Sequence, residues 1–337
     1  MKAVGFRKPL PIDAPDALLD LTLPVPDPGS RDLLVRVAAV SVNPVDVKVR
    51  ASAQPPAGEA RVIGWDAAGV VERAGAECTR FRAGDEVFYA GTILRPGSNA
   101  EYQLVDERLV GPKPRSLDFA EAASLPLTAV TAYELLFDRL RIPYGKKTGG
   151  GRLLVVNGAG GVGSILIQLA KRLTGLEVIA TASRPETVEW VRGLGADHVI
   201  DHKRPLHEEL KRIGIPEVEY ITSLSGSDQH AAAYVEALAP EGHLALIDDP
   251  KTFDVMPFKR KSITVCWELM FTRSIFGRAN MIEQQRALTE VSALVDAGVL
   301  RHTLKERVEG IDAAHLRQAH AKLESGSAIG KIVLVGF

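Results

Sequence analysis

The chain has 337 residues, 46% hydrophobic and 25% charged, with 41 Lys and Arg against 42 Asp and Glu for a net charge of −1. That length suits two domains, and the near-neutral balance excludes a strongly basic surface, so neither nucleic acid nor an anionic membrane is expected as a partner. No apolar run reaches the ~20 residues of a bilayer span. The opening MKAVGFRKPLPIDAPD has no apolar segment after its charges, so no secretory signal is expected. Two cysteines, Cys78 and Cys266, cannot build a disulfide framework and fit a reducing cytoplasm. All eight histidines follow residue 197, so three or four soft zinc ligands cannot be drawn from the first half. His315 and His320 lie about 140° apart around a helix, and the histidines read as solvated surface residues.

Residues 1–125 read as β-rich. LLVRVAAVSV (33–42), AAGVVERAG (67–75), DEVFYAG (85–91) and AEYQLVD (100–106) predict strands bounded by Gly, Pro or Asp, with no long helical stripe before FAEAASL (119–125). TAVTAYELLFDRL (128–140) has helical spacing and leads into YGKKTGGG (144–151), a glycine-rich loop expected to face solvent. Strands and helices then alternate. RLLVVN (152–157), EVIATAS (177–183), HVID (198–201), VEYITSL (218–224) and HLALID (243–248) predict strands, with SITVCWEL (262–269) as a sixth. Helices are predicted over 162–173, 185–195, 205–214 and 228–240. Such units with near-continuous apolar strands imply an α/β fold, a doubly wound parallel sheet covered on both faces. Helices over 282–297 and 312–326 and a strand at GKIVLVGF (330–337) follow, and this tail is expected to return to the β-rich domain. The expected division is 1–125 with 282–337, and 126–281.

The strongest motif is NGAGGVG, 157–163. Gly158-x-Gly160-x-x-Gly163 matches the dinucleotide fingerprint, and it follows a strand and opens a helix as that fingerprint requires. Gly158 permits the tight turn, Gly160 admits the diphosphate to the backbone, and Gly163 lets helix pack on strand. Gly161 and Val162 complete the loop, where free N–H groups and the helix dipole favour an anion. About 20 residues on, where NAD sites carry an acid, stands Thr181-Ala182-Ser183-Arg184. Ser183 can donate to a 2′-phosphate and Arg184 can pair with it, so NADP(H) is expected over NAD(H).

Together, SVNPVDVKVR (41–50), IGWDAAGVV (63–71), AGDEVFYAG (83–91), GSNAEYQLVD (97–106), AASLPLTAVTAYELL (122–136), NGAGGVGS (157–164) and GKIVLV (330–335) give a sequence that resembles the medium-chain dehydrogenase/reductase superfamily, specifically its zinc-free quinone oxidoreductase branch. The resemblance spans essentially the whole chain. It implies a GroES-like β-rich catalytic domain beside a Rossmann nucleotide domain. Zinc-dependent members carry a Cys three residues before the position of Asp46, where this chain has Asn43, and their Gly-His-Glu reads Gly64-Trp65-Asp66. The remaining catalytic Cys falls near Leu127-Thr128, so no metal site is expected. The resemblance further implies that Asn43 and Asp46 sit beside the nicotinamide and that Thr128 lines the same cleft, with Trp65, Trp267 and Phe271 expected as an aromatic slot for a flat acceptor. His202 would stand near the 2′-phosphate, where such enzymes commonly have Tyr, and Lys331 would reach the cofactor from the C-terminal segment.

Without a Lewis acid, simple alcohol oxidation lacks its usual driving group, whereas a quinone stabilises the charge left by hydride attack through its own conjugation. NADPH-dependent quinone reduction is therefore the first expectation. Reduction of an α,β-unsaturated ketone or aldehyde is the alternative, and it needs a proton donor for which Tyr89 and Tyr102 are open candidates. A crystallin-like NADPH-binding protein with little turnover is a third reading, from another class. A homodimer is expected through SITVCWEL.

Overall fold

In the computed structural model, which describes residues 1–145 and 150–337, the β-rich and alternating segments form two units. One comprises Met1–Val130 and Phe271–Phe337, the other Thr131–Met270. The first boundary falls inside the helix Pro126–Tyr133, whose last turns widen into a π-helix over Glu134–Arg139. The centre of the glycine-rich loop expected at 144–151, residues 146–149, lies outside the described residues.

The first unit is organised around Asp32–Ser41, ten residues of which most are buried. One edge of this strand pairs along its length with Ala67–Ala74. The other edge is shared, Tyr102–Asp106 taking its first half and Lys331–Val335 its end. Glu86–Tyr89, Val110–Pro112 and Leu304–Glu309 complete this sheet. A smaller sheet joins Leu19–Thr22, Lys2–Phe6 and Arg61–Val62. The C-terminal strand thus returns to the β-rich sheet, as its apolar pattern requires.

A helix and a histidine of the first unit are among the departures from the sequence expectation. Pro44–Ser52 is a helix, where no helical stripe is visible before residue 119. Its buried residues are Asp46 and Arg50, so the inward face is polar and carries no apolar periodicity, while Val45, Val47 and Val49 alternate as a strand would. His320 is fully buried and not a surface residue. It lies on Ala313–Glu324, which packs against Pro44–Ser52, and burial holds its imidazole down at about 3.

The second unit is a six-stranded sheet, parallel throughout. Its order across the sheet is His198–Ile200, Glu177–Thr181, Arg152–Val156, Val218–Ser223, Leu238–Leu246, Thr264–Trp267. Numbered along the chain this is 3-2-1-4-5-6, the dinucleotide-binding order, with its switch point between the first and fourth strands. The fifth strand begins at Leu238, not at 243, and the helix before it, Ser227–Ala237, is correspondingly short. A bulge explains this: Val218 faces Leu238 but Tyr220 faces His243, and Glu241 takes a left-handed φ of 64°.

The glycine loop shows which of its residues the backbone needs. The left-handed turn residue is Asn157, with φ of 66°. A Cβ on Gly163 would lie 2.5 Å from the Asn157 carbonyl oxygen and 2.6 Å from that of Gly158, both backbone atoms. On Gly160 the nearest contact would be the Asn157 side-chain amide at 3.1 Å, which can move. Alanine gains roughly 1 kcal/mol of helix propensity over glycine, but overpacking against fixed backbone costs about 1–3 kcal/mol. Gly163→Ala is therefore expected to lower stability to chemical denaturation by about 1–2 kcal/mol, and Gly160→Ala, at the N-cap, to cost under about 1 kcal/mol. Equal midpoints for the two variants would show that the loop relaxes around either Cβ.

Candidate active site

Three strand ends of the first unit converge on one polar cluster. Asp32–Ser41 ends just before Asn43, Ala67–Ala74 begins just after Asp66, and Lys331 opens Lys331–Val335. The backbone fixes their proximity: Ser41 N–H donates to the Asp66 carbonyl at 2.9 Å, and Val42 N–H to that of Ile332 at 3.2 Å. The Lys331 ammonium donates to Val42 O at 2.7 Å and to Asn43 Oδ1, and lies 3.1 Å from Asp66 Oδ2. Asn43 Nδ2 donates to that same Asp66 oxygen at 3.1 Å, and Leu127 N–H donates to Asp66 Oδ1 at 3.0 Å. Asp46 Oδ2 accepts the Asn43 N–H at 2.7 Å, whereas Asp46 Oδ1 is buried without a hydrogen-bond partner.

All four side chains are at most 3% exposed. Burial pushes the Asp66 carboxyl up while the Lys331 ammonium draws it back, and burial pushes the ammonium down against the pull of Asp66. Asp46 is pushed up to about 7, mainly by burial. The arrangement is one ion pair, Lys331 with Asp66, beside a carboxyl that keeps a proton through much of the acid range.

The other expected cleft residues distribute differently around this cluster. Thr128 follows Leu127 and donates its hydroxyl to Leu125 O at 3.0 Å. Gly64, at φ of 105°, precedes Trp65, whose indole is fully buried. The indole donates to Thr92 O at 3.0 Å and meets Phe271 edge-on at 6.4 Å. Within the second unit, Trp267 meets Phe253 edge-on at 6.4 Å. Tyr89 is fully buried, and Tyr102 lines an apolar pocket of about 300 Å³ with Leu23, Pro24 and Leu104. Asp66 is the member that residue-by-residue reading passed over in favour of Trp65. The available signal was an acid standing between Trp65 and the apolar run AAGVV, where only a paired carboxylate is tolerated.

In the second unit, Gly158, Gly160, Gly161, Val162 and Gly163 form the turn from Arg152–Val156 into Gly161–Leu173. Ser183 and Arg184 follow the next strand. The Arg184 guanidinium lies 3.4 Å from Glu186, and its backbone N–H donates to Thr187 Oγ1 at 3.1 Å. His202 lies two residues beyond His198–Ile200, with Nδ1 buried and unpartnered. The unit also buries Glu134 and Glu268 about Arg139, and burial and the neighbouring Glu134 push Glu268 up to about 8.

Removing one partner of a buried ion pair typically costs about 3–5 kcal/mol, because the other charge stays behind unpaired. Lys331→Met is expected to destabilise the first unit by that order, and adding Asp66→Asn to restore a substantial part. Chemical unfolding followed by circular dichroism measures both. A single-variant loss below about 1 kcal/mol would show that Asp66 needs no buried cation.

Residues 29–115 match the family described as the alcohol dehydrogenase GroES-like domain, and 194–334 that of the zinc-binding dehydrogenases. A zinc-type alcohol dehydrogenase-like protein of Staphylococcus aureus (strain MSSA476) is 42% identical over 338 residues, 99% of each chain. A crystal structure from Rhizobium etli CFN 42, provisionally described as a zinc-dependent alcohol dehydrogenase, is 55% identical with a TM-score of 0.95, covering 100% of this chain and 98% of that one. The NADPH-dependent alkenal/one oxidoreductase of Arabidopsis thaliana chloroplasts is 40% identical over 204 residues, 57% of this chain and 50% of that protein. Identity along the whole chain, together with the two family matches, shows that the chain belongs to the medium-chain dehydrogenase/reductase superfamily of oxidoreductases, among its zinc-type alcohol dehydrogenase-like proteins.

Proposed function

We propose that the protein is a zinc-independent, NADPH-dependent reductase of conjugated carbonyl acceptors, with quinones as the first substrate class. The observation that carries this reading is the Lys331 ammonium buried between Asn43 and Asp66. Zinc is held by three or four Cys, His or carboxylate ligands. Here Asp66 is already paired with a cation, Asn43 directs both ends of its amide into the cluster, and Trp65 offers an indole. A dication beside a buried ammonium is repelled. Among the described residues, no group of three or more His, Cys, Asp or Glu is placed to hold a metal ion. This donor set does not fit the zinc that the relatives' names imply.

The second unit fits a dinucleotide. Its loop turns tightly from strand to helix, and at Gly158 it lies so close to the sheet that a Cβ would meet Ala180 Cβ at 2.9 Å. Gly158, Gly160, Gly161, Val162 and Gly163 would hold the diphosphate, and Ser183, Arg184 and His202 the 2′-phosphate. NADPH bound there supplies a hydride. The chain's part is to orient the cofactor and acceptor and to exclude water. An acceptor that disperses charge over its own conjugation needs no electrophile, and a quinone can take its protons from solvent. Reduction of α,β-unsaturated ketones and aldehydes is the second reading, and the likeness to the alkenal/one oxidoreductase favours it.

The deciding assay follows loss of NADPH absorbance with metal-free protein against ortho- and para-quinones, 2-alkenals and cyclic enones, with NADH and added zinc as controls. Quinone turnover that zinc does not raise is expected. Turnover of enones alone would replace the first reading with the second. Silence on every acceptor with NADPH still bound would replace both with a binding role.

A homodimer in the reducing cytoplasm completes the proposal. Thr264–Trp267 is the edge of its sheet, and Trp267 and Leu269 are about half exposed, a surface that edge pairing would cover. Light scattering is expected to give the mass of two chains, falling to one for Trp267→Glu. A monomeric wild type would remove the dimer from the proposal.

A further inference from the structure

The carboxyl edge of the second unit's sheet carries two imidazoles, of which the sequence points only to one. His202 leaves the edge strand His198–Ile200, immediately beside the chain that carries Ser183 and Arg184: Thr181 is in register with Ile200, and Ala182 N–H donates to the Ile200 carbonyl at 3.0 Å. His230 lies in the first turns of Ser227–Ala237. There, the Cβ position of Gly226 falls 3.7 Å from its Cδ2, at the turn that ends Val218–Ser223. The helix Leu206–Arg212 that follows His202 packs on the helix that carries His230.

Both rings are half-buried, and His202 Nδ1 has no hydrogen-bond partner. The charges facing them are few and opposed: Asp201 and Lys203 act on His202, and Asp228 on His230. Burial pushes both imidazoles down, and His202 pushes His230 down further. Near neutral pH the free protein therefore presents two neutral imidazoles where the NADPH reading places a dianion. A phosphate monoester is doubly charged above its second pKa of about 6. Arg184 brings one positive charge and already lies beside Glu186.

We propose that His202 and His230 form a proton-accepting part of the 2′-phosphate seat, so that NADPH binds with uptake of a proton and its advantage over NADH shrinks as pH rises. This rests on the NADPH reading above. The proton comes from solvent and is held on one of the two rings while the phosphate is bound. NADH lacks the phosphate and has no such linkage.

The test is binding, read by titration calorimetry on wild-type protein from pH 6.5 to pH 8.5, in two phosphate-free buffers of unlike ionisation enthalpy. The expected result is a buffer-dependent enthalpy showing proton uptake with NADPH but not with NADH. The NADPH Kd should rise by up to about tenfold per pH unit for one linked proton. His202→Gln and His230→Gln should each flatten that slope. NADPH binding that is tighter than NADH binding yet flat with pH, with no proton uptake, would overturn the inference and leave the coenzyme reading intact. The same slope for both coenzymes would also overturn it, because the linked group would then lie away from the phosphate. Equal affinity for the two at every pH would overturn the coenzyme reading itself, and the seat with it.

Discussion

The first unit depends on keeping one ammonium ion out of water. Lys331 is 3% exposed, and an isolated buried charge costs far more than a domain's net stability can bear. Its three donors therefore need three acceptors, and the fold supplies them from chain segments far apart. Val42 O and Asn43 Oδ1 stand 289 and 288 residues away in sequence, and Asp66 provides the charge. Each partner sits at the end of a strand, so the same contacts fix where those strands begin and stop. Asn43 is held in one orientation, its oxygen toward the ammonium and its amide toward the carboxylate. A flipped amide would set donor against donor and acceptor against acceptor.

Charge balance accounts for Asp46. One cation offsets one anion, and Asp66 is that anion because it receives the ammonium and two N–H donors. A second buried carboxylate has only the Asn43 N–H, so it holds its proton to about 7. The second unit reaches a comparable result with Glu134, Glu268 and Arg139, where two carboxyl groups share one guanidinium. In both clusters two carboxyl groups face one cation.

The parallel sheet and the strands of the first unit were legible in the sequence because their cores are apolar and periodic. The glycine loop was legible because its context, strand then helix, is local. What escaped was held together by polar or long-range contacts. Pro44–Ser52 buries Asp46 and Arg50, so the periodicity that reveals most helices is absent from it. Lys331 was visible as a candidate toward the cofactor, but its pairing with Asp66 depends on a strand order that no local window contains. His320 carries a polar side chain into the interior, against the usual preference of its residue type. Leu304–Glu309 reads LKERVE and alternates half-buried with exposed, too polar to announce itself as a strand.

Lysine differs from zinc as a buried cation in a way that bears on the proposed chemistry. A metal ion with an open coordination position can take a substrate oxygen as a ligand and stabilise the alkoxide. The Lys331 ammonium has no such position, since its three donors are spent on Val42, Asn43 and Asp66. Drawing it toward a substrate would leave Asp66 buried and unpaired, at a cost of several kcal/mol. The cluster can hold strands and orient an amide, but it cannot lend positive charge to a reacting oxygen. Hydride acceptors for this chain are therefore expected among molecules that carry their own electron sink. Quinones and enones share that property, and saturated carbonyl compounds lack it.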